Sequence, residues 1–87
     1  MKTKDGYLLR EVAGTYVAVP TGKASVYFSG MITLNGTGAF LWKLLTEDKS
    51  EQELLSAMLE EYYTNEATAR SDISEFIKTI KAANLLE

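Results

Sequence analysis

Cysteine and histidine are both absent from this chain of 87 residues, and proline occurs once. The first two absences remove the thiolate nucleophile, the imidazole base, the zinc finger and the cysteine-held iron–sulfur cluster. Little is left for catalysis, and the expectation is a domain with no metal, cofactor or catalytic residue. Without disulfides, a domain this small depends on helix packing and a modest sheet for nearly all its stability. No apolar run approaches the ~18 to 20 residues needed to span a bilayer, and the opening MKTKDGYLLREV has no signal-peptide core. A cytoplasmic location is the expectation. Surplus positive charge is missing too: a formal net charge of −3 argues against a generic partner among nucleic acids or anionic membranes, both of which need a cationic surface. A basic or apolar peptide remains compatible with it.

What is present belongs to an ordinary globular protein, 46% hydrophobic and 24% charged, with length enough for one domain over residues 1–87. From Tyr7 to Pro20 two β-rich runs break at Ala13-Gly14, which predicts a hairpin. In the first run Leu8, Arg10 and Val12 share one face and Tyr7, Leu9 and Glu11 the other; in the second, Tyr16 and Ala18 oppose Thr15, Val17 and Val19. Pro20 ends that strand. Thr21 to Ser29 is expected to be mostly loop. Met31 to Leu34 is short and apolar and reads as a third strand, stopped by Asn35 as the N-cap of a helix. Phe40, Leu41, Leu44 and Leu45 give that helix its core face, over about three turns, with Trp42 beside them.

Thr46 to Lys49 connects to a second helix, for which Ser50 and Glu53 make a capping box. Leu54, Leu55, Met58, Leu59 and Tyr62 form its apolar stripe, with Glu51, Glu53, Glu60 and Glu61 mostly on the solvated side. Asn65 caps a third helix, whose stripe of Ala69, Ile73, Phe76, Ile77 and Ile80 runs to about Ala83 before Asn84 breaks it. Leu85 and Leu86 are expected to fold back on the core. The order β-β-β-α-α-α predicts a small winged-helix-like α+β domain, three helices packed on an antiparallel sheet whose last strand is an edge.

Three features invite a functional reading and a plainer one prevails for each. Gly36-Thr37-Gly38 lacks the Lys of a P-loop and the third Gly of a dinucleotide fingerprint, so its small residues serve to start a helix close to the sheet. The third helix balances Glu66, Asp72 and Glu75 against Arg70, Lys78 and Lys81, so a winged-helix DNA-binding regulator, the alternative this element order raises, lacks its cationic reading helix. Trp42, beside Leu41 and Leu44, is a packing residue before it is a stacking platform.

LNGTGAFLWKLL, EQELLSAMLEEY and ARSDISEFIKTIKAANLLE together resemble the PqqD family over nearly the whole chain. The most specific elements are Leu34-Asn35 ahead of Trp42 and Leu45, then Asp72, Phe76, Ile80 and Leu85. The resemblance implies a recognition element that binds the leader segment of a ribosomally made precursor peptide. It does no chemistry itself and presents the leader to a separate maturation enzyme, often a radical S-adenosylmethionine enzyme. It further implies β-augmentation, the leader adding as a strand beside the third strand while its apolar side chains enter a groove against the third helix. Carried onto this sequence, the strand is Met31, Ile32 and Thr33 behind a Gly30 hinge, and the groove wall is Arg70, Ile73, Ile77 and Ile80.

Overall fold

The structure, a computed structural model, describes residues 1–21, 32–62 and 65–87. Strands β1 (Tyr7–Val12) and β2 (Thr15–Pro20) pair antiparallel as a hairpin, with Leu9 opposite Ala18 and Val12 opposite Thr15. The two residues between them, Ala13 at φ 52° and Gly14 at φ 80°, both sit in left-handed backbone, the geometry of a type I′ turn whose twist suits a hairpin. Glycine adopts that conformation freely and alanine does not; the left-handed region costs a non-glycine residue roughly 1–2 kcal/mol. Ala13→Asn, which supplies the Asn-Gly pair such turns favour, is therefore expected to raise stability by up to ~1 kcal/mol. Urea unfolding of the two proteins side by side checks this, and a lowered midpoint would contradict the turn assignment.

Strand β3 (Ile32–Leu34) pairs antiparallel with β2, Ala18 facing Ile32 and Tyr16 facing Leu34, so the strand order is β1-β2-β3. The loop expected from Thr21 to Ser29 lies, beyond Thr21, outside the described residues, as do Gly30 and Met31. Alternation sorts the sheet's two faces. Ala18 and Leu34 are buried, and Tyr7, Leu9, Tyr16 and Ile32 pack beside them, while Leu8, Arg10 and Val12 look outward.

Three helices follow among the described residues: α1 (Gly36–Leu44), α2 (Glu51–Glu61) and α3 (Glu66–Ala82). Each begins at a side chain that satisfies one of the helix's unpaired N–H groups. Gly38 N–H donates to Asn35 Oδ1 at 2.7 Å and Thr68 N–H to Asn65 Oδ1 at 2.8 Å. At α2 the box is reciprocal, Glu53 N–H donating to Ser50 Oγ (3.1 Å) and Ser50 N–H to Glu53 Oε1 (3.0 Å). That backbone donor favours the ionised carboxylate and holds Glu53 below its ordinary value. Gly38 has a second reason to be glycine: a Cβ there would come within 3.4 Å of Leu34 Cβ and 3.2 Å of Asn35 Oδ1, so the first turn of α1 sits close against β3. No such contact explains Gly36.

Leu41, Leu45, Leu54, Met58, Ile80 and Leu85 are the largest fully buried side chains. Trp42 is 3% exposed and meets Tyr7 edge to face, which makes it a packing residue. The α2 stripe is narrower than its sequence suggests. Leu59 is 39% exposed and Tyr62, just past the helix, 36%, because Leu59 stands at the margin of the face that buries Leu54, Leu55 and Met58 and Tyr62, where the helix has ended, meets the ring of Phe40 edge to face.

Asn84, at φ 61°, ends α3 and turns Leu85 into the core. The other end of the chain meets it there. Thr3 and Leu86 form an antiparallel bridge, flanked by Lys4 N–H to Leu85 C=O and Glu87 N–H to Lys2 C=O, both 2.8 Å. Thr3 is buried, with its N–H (2.9 Å) and hydroxyl (3.1 Å) both donating to the Leu45 carbonyl. No described helix is long and apolar enough to cross a membrane.

Candidate functional site

Strand β3 is three residues long and closes the sheet: among the described residues no strand pairs with its outer side. Adjacent N–H groups of a strand point to opposite sides, so half of the β3 backbone groups face β2 and the other half face outward as a template for a further strand. Alongside this edge runs α3. Between them lies an open cleft of about 140 Å³, well short of the ~300 Å³ at which sites for cofactors and drug-sized molecules begin. The cleft is of side-chain size.

Three segments build it. Thr33 and Leu34 come from β3, Asn35, Thr37 and Gly38 from the start of α1, and Asp72, Glu75, Phe76 and Thr79 from α3. The α3 residues fall at i, i+3, i+4 and i+7 and so line one side of the helix. Leu34 and Phe76, each 6% exposed, belong to the core and supply an apolar floor. Asp72 is half-buried and Glu75 exposed, and neither carboxylate has an ion pair or hydrogen bond among the described residues. The Thr79 hydroxyl donates to the Glu75 carbonyl at 2.9 Å, and Asn35 Oδ1 is committed to its cap.

Of the site residues expected from the sequence, Thr33 lines the cleft and Ile32 precedes it on the same edge. The α3 set lies elsewhere. Ile73 (3% exposed) and Ile80 (0%) are core, and Ile77 is half-buried against the core. Arg70 is exposed and pairs with Glu66 at 3.3 Å, a surface i,i+4 contact worth only ~0.3–0.5 kcal/mol. At about 100° per residue, Arg70 and Ile77 sit on the flank of α3 turned away from Asp72, Glu75 and Thr79. The cleft residues thus occupy the row next to the core stripe on its other side.

Tyr16 and Asp48, neither of which lines the cleft, are displaced from their ordinary values. Tyr16 is raised by the Glu11 charge and the hydrogen bond to it across the hairpin; Asp48 is lowered, chiefly by the hydrogen bond and charge of the Met1 ammonium at 2.7 Å. No group of three or more metal-ligating side chains occurs among the described residues. What the cleft offers chemically is a row of backbone donors and acceptors beside an apolar floor and two carboxylates, which is binding chemistry.

The family model for coenzyme PQQ synthesis protein D (PqqD) matches residues 8–86. No curated protein matches the sequence. Among solved structures, that of TbiB1 in complex with the TbiA(beta) leader peptide superposes with a TM-score of 0.75 and 24% identity, over 100% of this chain and 95% of that one. At that identity the likeness is one of fold.

Proposed function

Since the chain belongs to the PqqD family, we propose that it is a recognition element for the leader segment of a ribosomally made precursor peptide. The leader adds as a fourth strand along the outer edge of β3, and its alternate side chains reach into the cleft between β3 and α3. The observation that carries this reading is the coincidence of an unpaired strand edge with a cleft of side-chain size along it. Strand addition supplies affinity through main-chain hydrogen bonds, and the cleft supplies selectivity. The solved structure of TbiB1 holds a leader peptide on the same fold. The domain does no chemistry of its own on this reading. It hands the leader to a separate maturation enzyme, for which a radical S-adenosylmethionine enzyme is our proposal, in the cytoplasm where such precursors are made.

A DNA-binding role finds no footing in the geometry. Helix α3 carries three acids against three bases, and its cleft side presents Asp72 and Glu75, which would repel phosphate. The test titrates the protein with synthetic leader segments of short precursor peptides encoded beside its gene, and separately with random duplex DNA. The leader complex is expected to form and to weaken no more than severalfold between ~50 and ~200 mM salt, over which a duplex-DNA complex loses orders of magnitude. Tight, salt-sensitive binding to the duplex with no leader complex would reverse the assignment.

A further inference from the structure

The cleft has a chemical sign. Its floor is apolar, made by Leu34 and Phe76, and over that floor stand the carboxylates of Asp72 and Glu75, one helical turn apart and both without a partner among the described residues. Lys78, one turn beyond Glu75, forms no ion pair with it, and Arg70 is engaged with Glu66 on the far flank. A strand added to β3 would bring side chains into this space at every second position.

Different occupants fare differently there. An acidic side chain meets like charge. A leucine covers the floor but takes water from two carboxylates and gives them nothing in return, which is costly for a charged group. A lysine or arginine lays its alkyl stem along Leu34 and Phe76 and carries its cation up to the carboxylates, where the hydrogen bonds are charge-assisted. Resting on the strand-addition reading above, we infer that the leader accepted by this domain carries a lysine or arginine at the position facing α3, held between Asp72 and Glu75 over the Leu34–Phe76 floor. The acidic pair then acts as the selector among leaders, while the β3 edge holds any extended backbone.

The experiment selects a displayed library of random peptides on the wild-type protein, on the isosteric Asp72→Asn/Glu75→Gln variant, and on a variant with proline in β3. Peptides selected by the wild type are expected to share one basic residue, and those selected by the charge-neutral variant to lack it. In a synthetic copy of a selected peptide, exchanging that residue for norleucine should lower affinity for the wild type by about tenfold and for the neutral variant by little. Asp72 and Glu75 lie at the surface, so circular dichroism should show both proteins folded; each single exchange should give part of the effect. Selected peptides that lack the basic residue yet lose binding to the β3 proline variant would overturn the acidic selector and leave strand addition standing. Should no selected peptide respond to the proline, strand addition and the selector fall together.

Discussion

Proline at one of two neighbouring positions in β3 is expected to weaken leader binding by one to two orders of magnitude while the helices stay folded. Ile32 and Thr33 are adjacent, so the N–H of one points to β2 and that of the other to the open edge. Proline removes that donor. At the inward position the substitution breaks a ladder bond and should lower the melting temperature; at the outward position the three-stranded sheet keeps its hydrogen bonds and the leader loses one. A backbone bond lost together with a stranded partner is worth ~2–3 kcal/mol, a fall in affinity of about 30- to 150-fold. Peptide titration with circular dichroism on both variants decides it. A pair of folded variants that bind the leader as the parent does would rule out the β3 edge.

Ile80→Ala should have the largest effect on stability. Ile80 is 0% exposed and lies on the core side of α3 among fully buried residues such as Leu41, Leu54 and Met58. Truncating such a residue removes its transfer free energy and leaves a cavity, together ~2–5 kcal/mol, against a total of ~5–15 kcal/mol for typical domains. A domain of this size without disulfides stands near the lower end, so the variant is expected to be largely unfolded at physiological temperature. Ile80→Val should lose only ~0.5–1.5 kcal/mol and stay folded. Leu59→Ala is the control: with 39% of its surface already in water it should change the urea midpoint little. Equal losses at Ile80 and Leu59 would show that the core is placed wrongly.

Features encoded within a few residues of one another were legible in the sequence. The three caps, Asn35, Ser50 with Glu53, and Asn65, each act on a group three residues away, and all three form as read. The hairpin break at Ala13-Gly14 is equally local. Periodicity identified the buried stripe of Ala69, Ile73, Phe76 and Ile80. It could not say which flank of that stripe would lie along β3, because the flank is set by how α3 packs against α2 and α1 at the same time. The row of Asp72, Glu75 and Thr79 is polar and reads from sequence as a solvated face, so its place in the cleft is a long-range consequence of packing. The seating of Thr3 beneath Leu45 had no local signal either, since its partners lie more than forty residues away.

The bridge between Thr3 and Leu86 brings the first and last described residues side by side. A domain whose ends meet can be spliced into a host polypeptide at a single surface loop, with both junctions leaving from one point and the sheet edge undisturbed. It can equally be appended at either end of another chain, since a tether attached at residue 1 or at residue 87 starts from nearly the same place. Standing alone or joined to another chain, the domain therefore keeps the same sheet edge, and what a tether changes is the effective concentration at which that chain meets whatever the edge holds.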